Sequence, residues 1–263
     1  MPNPSSARVH EVSVVSNDVV ARGIYRLVIC APELAEAISP GQFMSLTVPG
    51  DPSQVVRIPL SFSCALPSNG TVETEYAVVG EGTRRISQLG SGDHVSVLGP
   101  AGHGWQLDPM PGHPLLVAGG IGITPVVAAA RALTAGGARY DAIIGTRTAH
   151  TLWGYDELLS CGVEQVVVTS DDGTAGDRGL VTDVLEPALA AHEYDLVLAC
   201  GPEAMMRACA NICDAADVPC QVSMERMMTC GFGACGTCVV STTHGNVQAC
   251  MAGPVFEAKE VEW

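Results

Sequence analysis

Four cysteines near the carboxyl end, Cys230, Cys235, Cys238 and Cys250, stand at the spacing C-x4-C-x2-C, then eleven residues, then C. Thiolates so spaced hold a plant-type cluster of two irons and two sulfides. Soft sulfur ligands also suit zinc. Structural zinc sites commonly use two matched C-x2-C knuckles, and only one pair here has that spacing. Gly231, Gly233 and Gly236 interleave with the first three cysteines. They suit a tight loop that aims backbone N–H groups at sulfur, since only glycine turns that sharply without a Cβ clash. The pattern predicts a 2Fe–2S centre, with zinc as the competing metal. Such a centre moves single electrons, so the rest of the chain is read for their source and destination.

Two segments of the first hundred residues suit a pyrophosphate. Arg57-Ile-Pro-Leu-Ser61, with Pro59 and Leu60 inside it, closes a strand, and an arginine and a serine at its two ends can grip phosphate oxygens. Gly80-Glu-Gly-Thr-Arg-Arg85 leads into a short helix expected at Arg84–Leu89, whose start offers the N–H groups of Gly82 and Thr83 and a hydroxyl. Taken singly, Arg57 also reads as a solvated strand-end arginine and Gly82–Thr83 as an ordinary helix cap.

A second set of loops follows. Gly119-Gly-Ile-Gly-Ile-Thr-Pro125 joins an apolar strand to an Ala-rich helix. Gly119, Gly120, Gly122, Thr124 and Pro125 make it a candidate seat for a dinucleotide pyrophosphate, because the turn presents N–H groups with little side chain in the way. It departs from G-x-G-x-x-G: Pro125 stands at the third glycine, and Thr146-Arg147 replaces the acidic residue after the next strand. Asp171 and Asp172 follow the third strand and can accept from ribose hydroxyls, favouring NAD over NADP; Arg147 argues the other way. Both aspartates equally suit a turn beside Gly173. Cys200-Gly201-Pro202 ends the last strand, where the reacting part of a cofactor would lie, and Cys200 is the candidate catalytic residue; a free cysteine there also reads as core.

These residues need a scaffold. Arg8–Ser16, Gly23–Cys30, Gln42–Val48, Thr71–Val79 and His94–Leu98 are short strands broken by Gly and Pro, which predicts a closed antiparallel β-barrel. From Pro114 strands alternate with helices, which predicts an α/β parallel sheet carrying its ligand at the strands' carboxyl ends. The expected division is residues 1–105 as barrel, 106–222 as nucleotide domain and 223–263 as a small cluster domain.

With a net charge of −15 and Lys259 as the only lysine, the chain is a poor match for nucleic acid. No run approaches the length of a membrane span. The cysteine count of 11 is odd and the opening MPNPSSARVH has no signal-peptide pattern, so a reducing cytoplasm is expected.

Taken together, GEGT at Gly80–Thr83, LGPAGHGW at Leu98–Trp105, GGIGITP, TSDDGTAGDRGLVTD at Thr169–Asp183, CGPEAMM at Cys200–Met206, SMERMMTCGFGACGTC at Ser223–Cys238 and the tail from Cys250 resemble the electron-transfer subunits of NAD-dependent dihydroorotate dehydrogenases. These form a branch of the ferredoxin–NADP reductase superfamily. The resemblance implies FAD on the barrel domain, NAD on the second and a 2Fe–2S cluster held by Cys230, Cys235, Cys238 and Cys250. It also implies a catalytic partner subunit carrying FMN, in a heterotetramer of two plus two. Electrons would pass from that FMN through cluster and FAD to NAD in pyrimidine biosynthesis. The family's flavin motif resembles R-P-[IL]-S, and here Ile58 holds the arginine's place. Either Arg57 reaches the pyrophosphate, or binding rests on Gly82, Thr83 and the strand Thr74-Glu75-Tyr76. Related subunits serve ferredoxin:NADP transhydrogenases and sulfide dehydrogenases; a cluster-based redox sensor is the reading of another class.

Overall fold

The computed structural model describes residues 7–50 and 56–263. Of the opening segment, residues 1–6 therefore lie outside the described residues. Strands β1 (Arg8–Ala21) and β2 (Ile24–Cys30) form a long hairpin, turned at Gly23, whose φ of +75° suits glycine. β1 runs beyond the expected Ser16 because irregularities at Val14/Ser16 and Val19/Ala21 let it bend and keep pairing. Helix α1 (Pro32–Ala37) leads to β3 (Phe43–Leu46), then β4 (Ile58–Ser61), β5 (Cys64–Leu66) and β6 (Thr71–Ala77). Helix α2 (Glu81–Ile86) precedes β7 (His94–Ala101).

These seven strands make one antiparallel sheet in the order β4-β3-β7-β1-β2-β6-β5. It is curled like part of a barrel, but its edges β4 and β5 do not pair with each other. The expected closed barrel is therefore a half-barrel. Its edge strands, of four and three residues, are too short to complete a ladder. One side-chain bond, Thr74 Oγ1 to the Ser61 carbonyl at 2.5 Å, ties β6 to the end of β4. Leu27, Ile29, Met44, Val72 and Tyr76 fill the concave core.

The second sheet is parallel through β8 (Leu115–Gly119), β9 (Asp141–Thr146), β10 (Val166–Ser170), β11 (Asp177–Arg178), β12 (Val197–Cys200) and β13 (Cys220–Ser223). β8 is buried throughout, which is why its sequence is apolar at every position rather than alternating. Helices α3 (Ile123–Ala135), α4 (Tyr155–Cys161), α5 (Val181–Ala191) and α6 (Glu203–Ala215) cover its faces. The cysteine-rich segment follows, ending in the hairpin β14 (Val239–Thr242) and β15 (Gly245–Gln248) and the short helix α7 (Ala249–Ala252). The chain then returns: β16 (Val255–Glu257) pairs antiparallel with β13 and completes the sheet order β11-β10-β9-β8-β12-β13-β16. Among the described residues no helix is long and apolar enough to cross a membrane.

The helix expected at Arg84–Leu89 starts three residues earlier. The Thr83 hydroxyl accepts from the Val79 and Gly80 N–H groups at 3.0 and 3.2 Å and donates to the Gly80 carbonyl at 3.1 Å. That local capping lets the helix begin at Glu81, whose carboxylate binds Arg84 and Arg85 on the next turn.

Candidate redox site

The loop that presents the cysteines is built on left-handed glycines: φ is +77° at Gly231, +86° at Gly233 and +72° at Gly236. Backbone and side-chain donors meet the sulfurs. Ala234 N–H reaches Cys230 Sγ at 3.3 Å, Thr237 Oγ1 reaches Cys235 Sγ at 3.2 Å, and Cys250 N–H reaches Cys238 Sγ at 3.5 Å. Hydrogen bonds from the Thr237 hydroxyl, with further ones from Thr237 N–H and Cys230, lower the Cys235 thiol to about 6, toward the thiolate that binds metal.

Among the cysteines, Cys235 interacts most strongly with Cys230, and Cys250 with Cys238, while Cys250 also feels Cys230. A single tetrahedral zinc with Zn–S bonds of about 2.3 Å needs all four sulfurs about 3.8 Å apart. Among the described residues the only set of three or more His, Cys, Asp or Glu side chains whose donor atoms all lie within 4.8 Å of one another is a different one, His113, Asp141 and Glu164. Two pairs of thiols suit two irons, each taking two protein sulfurs, and not one central ion.

Two clefts are formed, the first of them bordering the residues that lead into this loop. The first, about 320 Å³, opens between the half-barrel and the parallel sheet. It gathers Pro59, Leu60 and Ser61 from β4, Glu75 and Tyr76 from β6, and Thr83 from α2. Gly122, Thr124, Pro125 and Cys200 face it from the other side. Ser223 to Arg226, Met228 and Pro254 also line it; they were not proposed as site residues, although they lie in the SMERMM stretch and the tail from Cys250 that carry the family resemblance. The second cleft, about 680 Å³, lies over the carboxyl ends of the parallel strands and takes in Gly119, Gly120, Asp171 and Pro202. Arg22, Gly23 and Val78 of the half-barrel reach into it, as do Thr146 and Arg147.

Five expected residues line neither cleft. Arg57 points away: its guanidinium donates to the Ser96 carbonyl at 2.7 Å and to Ser96 Oγ at 3.1 Å, clamping the start of β4 to β7. Arg57 was expected to grip a pyrophosphate; in this structure its guanidinium is engaged with Ser96 of β7. Ile58, in the motif arginine's place, packs instead on Gly82: a Cβ there would meet Ile58 Cδ1 at 2.8 Å. Gly82 thus serves a close approach, and Thr74 is spent on the Ser61 carbonyl. Asp172 accepts from Thr174 N–H and Oγ1 at 3.0 and 2.6 Å, so it forms the turn. Gly201 lies against Gly119, so closely that a Cβ on Gly201 would stand 3.0 Å from the Gly119 backbone. Cys200 is buried, and burial pushes its thiol up to about 12; it is a neutral SH donating to the Ser223 carbonyl at 3.5 Å.

Glu75 is the unusual group of the first cleft. Its side chain is fully buried; Oε1 accepts from Arg26 Nε at 2.9 Å, while Oε2 has no hydrogen-bond partner. Arg26 also binds Glu157 and lies 5.7 Å over the Trp153 ring, joining β2 to the α4 region. Burial raises the Glu75 carboxyl to about 7, with Ser63 and Arg26 pulling the other way. The folded state therefore holds a proton that the unfolded chain releases near 4.5. Stability is full below that value and falls as pH rises toward 7, by as much as about 3 kcal/mol at about 1.4 kcal/mol per pH unit. Glu75→Gln should consequently raise the melting temperature more at pH 8.5 than at pH 5. A mutant-minus-wild-type difference that is flat between those two pH values would mean Glu75 ionises freely in the fold.

Residues 225–262 match the family described as the iron-sulfur cluster binding domain of dihydroorotate dehydrogenase B, and residues 116–211 match an oxidoreductase NAD-binding domain. Over 262 residues the chain is 32% identical to the dihydroorotate dehydrogenase B (NAD(+)) electron transfer subunit of Desulforamulus reducens, covering 98% of this chain and 99% of that one. The chain belongs to that family. The corresponding subunit of Clostridium perfringens is 35% identical, with 95% and 96% covered. Among solved structures, that of an NADH-dependent reduced ferredoxin-NADP oxidoreductase superposes with a TM-score of 0.87 at 30% identity, over 96% of this chain and 90% of that one. The fold is ferredoxin reductase-like, an antiparallel half-barrel sheet followed by the nucleotide sheet and a C-terminal iron–sulfur binding region.

Proposed function

We propose that this dihydroorotate dehydrogenase B family member is the electron-transfer subunit that carries electrons from the FMN of a catalytic partner, through a 2Fe–2S cluster and FAD, to NAD+ in pyrimidine biosynthesis. When bound, these three groups supply the one- and two-electron chemistry. The observation that carries the reading is the arrangement of four thiols as two donor-supported pairs, Cys230 with Cys235 and Cys238 with Cys250, close in sequence to the Ser223–Met228 wall of the first cleft.

The chain's residues divide the remaining work. Ser61, Thr83, Pro59, Leu60 and Tyr76 form one wall for FAD, and Gly122, Thr124 and Pro125 the facing one. Thr124 Oγ1 donates to the Glu75 carbonyl at 3.2 Å, so the two walls are joined. The neutral Cys200 thiol lies at the strand end beneath, where it can pack a ring without adding charge. Gly119, Gly120, Asp171 and Pro202 line the nicotinamide dinucleotide cleft, with Asp171 as the ribose acceptor. We assign residues 1–105 to FAD, 106–222 to NAD and 223–263 to the cluster, with the last strand returning to the middle sheet. The partner binds as two copies with two of this chain, in a reducing cytoplasm.

One observation favours a second reading: the NADH-dependent ferredoxin-NADP oxidoreductase structure is close over nearly the full chain. Partner identity separates the two. Purified alone, the chain should hold about two irons and two sulfides and reduce dyes with NADH, yet oxidise no dihydroorotate until an FMN subunit is added. Stoichiometric zinc without iron, or unaided dihydroorotate oxidation, would overturn the proposal.

A further inference from the structure

At the amino ends of the parallel strands, away from both clefts, a set of polar side chains converges that the redox reading does not use. His113 precedes β8 by two residues, Asp141 opens β9, and Glu164 precedes β10 by two. Their donor atoms all lie within 4.8 Å of one another. Asp141 Oδ2 is 3.2 Å from His113 Nε2 and accepts from Tyr194 Oη at 2.8 Å. The other oxygen of the same carboxylate, Oδ1, is buried and has no hydrogen-bond partner, although the side chain is only 8% exposed. A buried carboxylate oxygen without a donor, on a residue that also stands among ligand-type groups, leaves a lone pair that a cation could take through either oxygen.

We propose that His113, Asp141 and Glu164 bind one zinc ion, which ties the starts of β8, β9 and β10 together. The separation of His113 Nε2 and Asp141 Oδ2 is that of two ligands sharing one ion at about 2.0–2.2 Å each. One neutral imidazole and two carboxylates balance the charge of a divalent ion, with water completing four-coordination. The supporting shell is in place. Tyr194 donates to the ligating carboxylate, and its ring lies 4.8 Å from that of His113. Asp195 takes the His113 and Gly112 N–H groups at 3.1 and 2.5 Å, which fixes the backbone that carries the imidazole. Such outer contacts orient metal ligands and set their basicity. Arg139 is the competitor: it donates twice to Glu164, at 2.7 and 2.8 Å, with a side chain 68% exposed that an ion would have to displace into solvent. The site lies at the opposite end of the strands from the nucleotide cleft, so its role is structural.

The test uses holoprotein whose iron content has first been verified, so that the cysteines are occupied. Equilibrium dialysis against zinc, counted by mass spectrometry beside iron, should give one zinc per chain. Zinc should also raise the melting temperature. Removing even an outer partner costs about 10–100-fold in metal affinity, so His113→Ala and Glu164→Gln should each weaken binding by at least about tenfold. His244→Ala, at an exposed histidine elsewhere, should leave it unchanged. Glu164 is exposed and its amide variant leaves packing intact, so it keeps the test decisive if His113→Ala folds poorly. Absence of zinc uptake, or uptake that Glu164→Gln leaves unaltered, would overturn the proposal.

Discussion

Cys235→Ser is expected to leave NADH–dye activity close to that of the wild type while dihydroorotate-to-NAD turnover in the assembled complex collapses. A loss of two orders of magnitude, about 2.7 kcal/mol in barrier terms, is the minimum anticipated. The reason is positional. Cys235 lines neither cleft, so the residues proposed for flavin and nicotinamide are untouched by the change. A serine hydroxyl is a hard, protonated ligand that iron accepts poorly in place of thiolate. Electrons then reach the flavin cleft from NADH but not from the partner. Loss of a metal site can also unfold what surrounds it, so circular dichroism and retained flavin must accompany the rates. Full-rate coupling in a variant shown to lack iron would mean that the cluster is not on the path.

Gly122→Ala should damage the protein strongly. Its Cβ would stand 2.5 Å from the Cys200 carbonyl oxygen and 2.7 Å from Gly201 N, so backbone must move. Gly122 has a φ of −59°, which any residue tolerates; the objection is contact, not conformation. Overpacking of this kind costs about 1–3 kcal/mol, and each kcal/mol lowers the melting temperature by about 2–4 °C for a chain of about this size. Because the clash pries the glycine turn off the strand that carries Cys200, both clefts are distorted. A displacement of about 1 Å can cost about 10²-fold in rate, and NADH–dye kcat/KM should fall by that order. Gly120→Ala is the contrast: it has open space but a φ of +56°, so it should strain the turn without wedging it from the strand. Equal activity in Gly122→Ala and wild type would show that the contact yields freely.

What was legible in the sequence followed from physics that acts locally. Cysteine spacing specified the donor set, and buried parallel strands such as β8 announced themselves by being apolar at every position. What was not legible depends on partners distant in sequence. Whether Arg57 faces a cleft or Ser96 is set by which strand lies beside β4, and that is β3, next to β7. Thr83 looked like a donor toward a ligand, whereas its hydroxyl is spent on its own helix cap. Asp171 and Asp172 are adjacent and chemically alike, yet only one faces the cleft because the other closes a turn with Thr174. The buried Glu75 sits on an alternating strand whose inward face could not be assigned without knowing that Arg26 stands opposite it.

The return of β16 to the edge of β13 has a consequence for how the molecule is made. The two strands bracket the whole cysteine-rich segment, and the core beneath them includes Cys238, Val240, Ala249 and Cys250 as well as Val222 and Phe256. During synthesis β13 emerges before its neighbour, so its outer edge waits unpaired until Val255–Glu257 have been made. Once β16 docks, the ligand-bearing segment becomes a closed loop with both ends fixed, and the entropy of bringing distant thiols together has already been met. Iron entering the folded chain would then meet a segment whose two ends are already fixed by the sheet. A message truncated between Ser223 and Val255 would instead leave a bare strand edge, the kind of surface on which chains aggregate.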